Sequence, residues 1–159
     1  MTYALARGQL APDITEKRMP LSGGCSCGAL RFTIARYLYT QLCHCDACKK
    51  RTGTAYRISV VIENAALLQF RGETRTFKRV AESGNSVEYD FCPACASVIR
   101  WRVAALQDRQ VIAGGAFDDP GVFEIAGEMY TAKALSWARI GCGDYDGRRT
   151  RRHLTIRSG

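Results

Sequence analysis

Short stretches in which apolar and polar residues alternate recur along the chain of 159 residues. They are rich in β-branched and aromatic residues, and Gly, Pro, Asn and Asp separate them, a pattern that is typical of strands. The third stretch contains a predicted hairpin turn at Arg71 to Glu73. The sequence therefore predicts a mainly β fold of short antiparallel strands, with these candidates: ALRFTIARY, AYRISVVI, ALLQFRGETRTFKRV, SVEYDFC, SVIRWRV and RQVIAGGAF.

Helical patterns are weaker than the strand patterns. DACKKRTG predicts one or two helical turns, and ENAALLQ and TAKALSWARI predict short segments, but none has a strong cap and a long periodic face. The large aromatic side chains of Trp101, Trp137 and Tyr56 are expected to fill the core, where such residues usually pack.

The length suits a single domain with a core of its own. Residues 1–19 lack clean periodicity and are predicted to be a flexible lead-in, residues 20–147 form the domain, and the arginine-rich residues 148–159 are predicted to be a disordered tail. No apolar run reaches the length of a secretory signal or a membrane span, so we expect a soluble, cytoplasmic protein without membrane contact.

The chain carries a formal net charge of +8, from 23 basic and 15 acidic residues. Such an excess is often a sign of nucleic-acid or other acidic partners. Here much of it lies in the tail GRRTRRHLTIRSG, and the sequence has no evident recognition helix or aromatic platform. Base recognition is therefore not expected, which leaves only salt-sensitive attraction to phosphates.

Seven of the eight cysteines fall into three groups, CSC, CHCDAC and CPAC. In a reducing cytosol such clusters indicate metal rather than disulfides. Residues i and i+2 of an extended chain lie on the same face, so a CxC pair aims two thiolates at one point, and a CxxC knuckle does so by curling the backbone. The three groups therefore predict metal binding.

Four thiolates make a closed structural site, whereas three thiolates leave a position for an exchangeable ligand. Zinc is the expected metal because it favours tetrahedral sulfur ligation, and the CxCxxC spacing does not match the usual iron–sulfur runs. The grouping favours two zinc ions per chain, a closed site and an open one, with these ligands: Cys25, Cys27, Cys92 and Cys95 in the closed site, and Cys43, Cys45 and Cys48 in the open one.

Three other residues could complete the three-cysteine site, namely Cys142, His44 and His153. Cys142 stands alone between glycines, where a free thiol in a turn is the simpler interpretation. His44 lies between two ligands and should point away from the metal by alternation, towards a packing or hydrogen-bonding role. The fourth ligand stays open at this point.

The motifs GGCSCGALRF, CHCDACKKRTGT, FCPACASVI, GGAFDDP and SWARI, in this order, resemble the glutathione-dependent formaldehyde-activating enzyme family, also called the CENP-V/GFA domain. The resemblance covers about residues 20–140. One departure is Ala96, which stands where the family's CxxCG knuckle has glycine. The resemblance implies an Mss4-like, or β-tent, zinc-binding fold, and it supports the same division into a structural and a catalytic zinc site.

The resemblance also implies an activity, the joining of glutathione and formaldehyde into S-hydroxymethylglutathione, formally that of a carbon–sulfur lyase. We expect the substrate thiol to take the open position, because metal coordination favours the thiolate that attacks a carbonyl carbon. Nearby cations would offset the negative charge of the centre and could hold glutathione's carboxylates. Lys49, Lys50 and Arg51 are the candidates, and a solvated basic turn is the alternative.

Two other functional hypotheses are compatible with the same motifs. One is a non-catalytic, zinc-stabilised binding module with a basic tail. The other is an enzyme that acts on a different thiol or electrophile, since membership of a family defines zinc sites better than it defines substrates.

Overall fold

The computed structural model describes residues 20–138. The predicted lead-in, the basic tail, Cys142 and His153 lie outside the described residues. No helix within the described part of the chain is long and apolar enough to cross a membrane.

Residues 20–138 form ten strands and one α-helix, which confirms the prediction of a mainly β protein. The helix α1 spans Asp46–Thr52, as DACKKRTG predicts, and it ends at Gly53, whose φ of 67° is left-handed. Short 3-10 turns include Asn64–Ala66 and Ser136–Ala138. The strands are β1 Leu21–Gly24, β2 Arg31–Ile34, β3 Tyr39–Cys43, β4 Arg57–Glu63, β5 Leu67–Arg71, β6 Arg75–Val80, β7 Ser86–Phe91, β8 Val98–Val103, β9 Arg109–Ala113 and β10 Glu128–Met129.

The strands form two sheets. The small sheet has the order β1-β2-β5, and the large one the order β10-β3-β4-β9-β8-β7-β6. All strand pairs are antiparallel except β10 with β3, which is parallel. The antiparallel architecture is the one that the strand pattern predicts, and it is consistent with the Mss4-like fold.

Strand β4 lies at the centre of the packing. Val60 and Ile62 belong to a core cluster with Phe32 and Ile34 of the small sheet, whereas Val61 belongs to a second cluster that contains Trp101. Because alternate residues of a strand point to opposite faces, both faces of β4 are covered. This explains why its sequence is a continuous apolar run rather than an alternating one.

The predicted hairpin turn at Arg71 to Glu73 is wrong. Strand β5 pairs with β2 in the small sheet, while β6 pairs with β7 in the large sheet. The chain passes from one sheet to the other at Gly72, whose φ is 101° and whose position would put a Cβ 2.2 Å from the carbonyl oxygen of Ala29. A glycine is required at this close approach. The local sequence resembles a hairpin because a hairpin turn and a passage between two sheets can both use a glycine with positive φ.

Three strands, β1, β3 and β10, were not predicted. They are short, and the sequence LSGG of β1 is typical of a turn rather than of a strand. Among the aromatic residues, Trp101 is buried as expected, with 1% of its surface exposed, but the expectation for Trp137 is wrong because 77% of its surface is exposed. Tyr56 is half-buried.

Candidate metal centres

Four cysteine sulfurs meet where two turns approach each other. Cys25 and Cys27 lie in the turn from β1 to β2, and Cys92 and Cys95 lie in the turn from β7 to β8, with all four Sγ atoms within 4.8 Å of one another. The Sγ atom of Cys27 is 3.4 Å from that of Cys25 and 3.7 Å from that of Cys92. Sulfurs bound tetrahedrally to zinc at about 2.3 Å lie about 3.8 Å apart, so the donor set fits this ion.

Hydrogen bonds surround these sulfurs. The backbone N–H of Leu30 donates to the Sγ of Cys25 at 3.1 Å, and the Ser97 hydroxyl lies 3.3 Å from the Sγ of Cys95. Hydrogen bonds from Ser26 and then Ser97 lower the pKa of Cys95 to about 5. Donors of this kind favour the thiolate form that a metal ligand needs and orient the sulfur.

Ala96 follows the knuckle in a left-handed conformation, with φ of 60°. Its backbone N–H donates to the carbonyl oxygen of Cys92 at 2.9 Å, which closes the turn. The turn therefore keeps the shape that suits glycine although a Cβ is present, and Cys92 and Cys95 remain with the other two sulfurs.

A second cluster is made of Cys43, Cys45 and Cys48, whose sulfurs also lie within 4.8 Å of one another. Cys43 ends β3, Cys45 is the N-cap of α1, and Cys48 lies in the first turn of that helix. All three are buried, and Met129 and Tyr130 pack against them. Within residues 20–138, no histidine, carboxylate or further cysteine completes this group.

His44 points away from the cluster and forms a hydrogen bond instead, as the alternation along the strand predicts. Its Nε2 lies 2.7 Å from the Oε2 of Glu128, and the ring is fully buried. The backbone N–H of His44 donates to the carbonyl oxygen of Met129 at 3.0 Å. These contacts hold β10 beside β3, and they bring Met129 to the sulfurs.

The three buried thiols differ in pKa. A hydrogen bond from the Cys43 thiol lowers the pKa of Cys48 to about 5; burial opposes this shift, and the positive charges of Arg57 and Arg51 add to it. The same hydrogen bond, together with burial, raises the pKa of Cys43. Burial raises the pKa of Cys45. The cluster thus contains one sulfur that readily carries negative charge, and the charges of the two arginines favour that state.

A cleft of about 1100 Å3 runs from the four-cysteine turns to the end of α1. Its polar lining includes Arg31, Arg51 and Arg57, and its aromatic lining includes Tyr56 and the exposed Trp137. The sulfurs of the three-cysteine cluster do not line it. Arg51 and Arg57 belong to the cleft wall and also act on Cys48, so they connect the cleft with the cluster.

The three cations predicted for the substrate lie in different surroundings. The Lys49 Nζ is 3.1 Å from Asp46 Oδ1 and donates to the carbonyl oxygen of Lys133 at 3.0 Å. Lys50 is exposed, and neither lysine lines the cleft, whereas Arg51 does. Asp46 also pairs with the Lys133 Nζ at 2.9 Å, so Lys49 belongs to a network that holds α1 against residues 131–133.

Aromatic rings hold both arginines in place. The Cζ of Arg51 is 4.3 Å from the ring centroid of Tyr89 and 5.5 Å from that of Trp101, and the Cζ of Arg57 is 4.2 Å from that of Trp101. Burial and the charge of Arg57 lower the pKa of Arg51. The sequence does not single out Arg57, because an arginine at the start of a strand is indistinguishable from a solvent-facing one until its neighbours across the sheet are known.

The chain is similar to a known protein family and to a solved structure. The family model described as glutathione-dependent formaldehyde-activating enzyme matches residues 20–133. A crystal structure of a Rhodobacter sphaeroides protein is similar, with a TM-score of 0.51, 16% sequence identity, and coverage of 65% of this chain and 96% of that one. At this identity the likeness shows the fold alone. No curated protein matches the chain.

Proposed function

Because the chain belongs to the glutathione-dependent formaldehyde-activating enzyme family, we propose that it is a zinc-dependent enzyme of the carbon–sulfur lyase type. It forms or cleaves the adduct of a thiol, first of all glutathione, with formaldehyde or a similar small carbonyl compound. The product of the glutathione reaction is S-hydroxymethylglutathione. A cytoplasmic location accompanies this proposal, in keeping with seven described cysteines that form no disulfide.

The observation that carries the proposal is the open three-cysteine cluster. Its sulfurs converge within 4.8 Å, and no fourth protein ligand joins them within residues 20–138. A closed site with four protein ligands has no place for a substrate, whereas a site with three has one. The same chain contains a four-cysteine group whose number of sulfurs matches the closed type, so candidates for both kinds of site occur in one domain.

The residues that would hold the ions are those that the sequence predicts. Cys43, Cys45 and Cys48 would hold the catalytic zinc, and the structural zinc would be held by Cys25, Cys27, Cys92 and Cys95. When bound at the open site, zinc would favour the thiolate form of a thiol at neutral pH, where a free thiol is mostly protonated. The donor set of soft sulfurs suits this ion.

Adduct formation needs a reactive sulfur and a sheltered carbonyl. The thiol sulfur forms a bond to the carbonyl carbon, the carbon–oxygen π bond breaks, and the proton of the thiol ends on the oxygen. The chain supplies a buried three-cysteine site, against which Met129 and Tyr130 pack. It also supplies an adjacent cleft, whose 1100 Å3 is large enough for a tripeptide thiol and far larger than formaldehyde needs.

For the substrate residues we propose Arg51 first among the three predicted cations, because it lines the cleft and acts on Cys48. Lys49 and Lys50 remain predictions. The partner of Lys49 is Asp46, and an exposed lysine such as Lys50 could meet a carboxylate of glutathione at the rim.

The test is to follow the exchange between formaldehyde, glutathione and S-hydroxymethylglutathione by NMR, with and without the zinc-loaded protein. We expect the protein to accelerate the exchange well above the uncatalysed rate, and we expect Cys45→Ser to abolish the acceleration. If the native protein gives no acceleration, the activity is refuted for this pair of substrates. The binding module and an enzyme for another thiol or electrophile would then be the hypotheses left.

A further inference from the structure

Two arginines form the part of the cleft wall that acts on the three-cysteine cluster. Arg51 lies in the last turn of α1, and Arg57 is the first residue of β4. Both guanidinium groups lie over the ring of one side chain, Trp101, with Cζ atoms 5.5 and 4.2 Å from its centroid. Cation–π contacts of this kind, with a second one from Arg51 to Tyr89, keep the two positive charges in fixed places.

Neither of these arginines forms an ion pair with a carboxylate within residues 20–138, although Arg31 in the same cleft pairs with Asp118 at 2.9 Å. The Nε and Nη2 atoms of Arg51 are buried without a hydrogen-bond partner. Two like charges that are partly buried and have no carboxylate partner among the described residues are costly for the folded protein. This cost would be offset by a negative charge close to both.

The nearest candidate for that negative charge is the cysteine cluster itself. Arg57 lies directly opposite Cys43 in the pairing of β4 with β3, and Arg51 follows Cys48 by three residues on α1. The charges of both arginines accordingly act on Cys48. Three thiolates around a divalent ion carry one net negative charge, and an incoming thiolate adds a second. A centre that becomes more negative on binding its substrate resists that binding unless cations stand nearby.

We infer that Arg51 and Arg57 offset the charge of the incoming thiolate at the three-cysteine centre and so determine the affinity for the substrate thiol. The inference rests on the proposed function. It gives Arg57 a positioning role that the sequence did not indicate. It also removes that role from Lys49, whose charge is already paired with Asp46.

A charge role and a carboxylate-binding role predict different substrate dependence. If the pair offsets the charge of the sulfur, its loss weakens the binding of every thiol, whether or not that thiol has a carboxylate. If the pair instead holds a carboxylate as a bidentate fork, its loss affects acidic thiols only. Lysine in place of Arg57 would keep the charge and lose the fork, so it rescues the first role and not the second.

The experiment uses the cobalt-substituted protein, in which thiolate-to-metal absorption reports a thiol that joins the open centre while the closed centre stays constant. Native protein, Arg57→Gln, Arg57→Lys and Arg51→Gln are titrated with 2-mercaptoethanol and with 3-mercaptopropionate. The control is Arg75→Gln, which removes the same charge from the exposed strand β6. Circular dichroism and cobalt content confirm that each variant is folded and loaded.

We expect Arg57→Gln and Arg51→Gln to weaken the binding of both thiols about tenfold or more. Arg57→Lys should recover most of the affinity, and Arg75→Gln should leave it unchanged. Should Arg51→Gln fail to fold, the two Arg57 variants decide the outcome.

Equal binding by the native protein and Arg57→Gln would overturn the inference alone, as would a loss confined to 3-mercaptopropionate. Because no formaldehyde is present, these results are independent of catalysis. Failure of the native protein to bind any thiol would refute the proposed function together with the inference.

Discussion

The two cysteine clusters use the same ligand atom but occupy the fold in opposite ways. In the four-cysteine cluster, sulfurs that are 65 residues apart in the chain, those of Cys27 and Cys92, lie 3.7 Å from each other. In the three-cysteine cluster, all three cysteines come from one short segment, which runs from the end of β3 to the start of α1. A metal in the first cluster closes a long loop, and a metal in the second closes almost none.

Their surroundings differ as well. Cys27 is exposed, and Ser97 offers a hydroxyl to the sulfur of Cys95. The three-cysteine cluster is buried, packs against Tyr130, and is acted on by the charges of two arginines. The difference teaches that a metal bound by residues far apart in the chain would stabilise the fold. A metal bound by one enclosed segment would contribute little to stability, so its site can be adapted to bind a substrate.

The largest effect is expected from Cys92→Ser. A structural zinc contributes roughly 10 kcal/mol or more of binding free energy, which equals or exceeds the stability of a typical domain. The variant should therefore lose cooperative thermal unfolding, monitored by circular dichroism. A folded variant with an unchanged melting temperature would show that the four-cysteine site does not hold the fold together.

A second test concerns Asp90, which lies on β7 just before Cys92 and is almost fully buried. It accepts hydrogen bonds from Thr76 at 2.8 Å, from Arg100 at 2.6 Å and from Arg102 at 2.7 Å. Burial raises the pKa of this carboxyl, but the hydrogen bonds from Arg102, Arg100 and Thr76 outweigh burial, so the net pKa is lowered. The strand that leads into Cys92 is thus fixed by a buried ionic cluster.

Asp90→Asn should lower the free energy of unfolding by about 3 kcal/mol at pH 7, measured by urea denaturation of the zinc-loaded protein. Because the folded-state pKa is lowered, this contribution is complete above the unfolded value of about 3.9 and is lost as pH falls through the folded value. Glu88→Gln on the same strand is the control, since its pairs with Lys78 and with Arg102 are both exposed and should together contribute less than about 1 kcal/mol. Equal effects would contradict the special role of Asp90.

Cys45→Ser tests the other side of the comparison. It should remove about one of two zinc ions, measured by elemental analysis, and destabilise the domain by at most about 2 kcal/mol. The reason is that a local CxCxxC segment can also bind metal in the unfolded chain, which reduces the stabilisation of the native state. Collapse of the fold, or a native protein with a single zinc, would contradict the open-site interpretation.

The smallest effects concern two left-handed residues, one near each cluster. Ala96, beside the four-cysteine site, has φ of 60°, and Gly53, which ends α1, has φ of 67° with open space around it. Ala96→Gly should raise the stability by about 1 kcal/mol, and Gly53→Ala should lower it by about the same amount. Thermal unfolding measures both, and a destabilised Ala96→Gly variant would indicate that the Ala96 side chain contributes packing.

The sequence by itself determined the fold class and the candidate metal ligands. The spacing of CxC, CxxC and CxCxxC places the sulfurs within each group together through local geometry. The numbers of cysteines in the three groups predict that the two pairs meet in one cluster, and the sulfurs of these pairs do lie together. The helix α1 followed from the same stretch. Local backbone rules suffice where the contacts are between residues that are close in the chain.

The tertiary structure alone decided what surrounds those ligands. Arg57, Tyr89 and Trp101 belong to three different strands, and the order and register of the sheet bring them to Arg51. The same long-range pairing separates β5 from β6 and leaves Trp137 at the surface of the cleft. Strand order depends on packing between distant segments, and one sequence pattern is compatible with several such orders, so the charges and walls of the site follow from the fold and not from the motif.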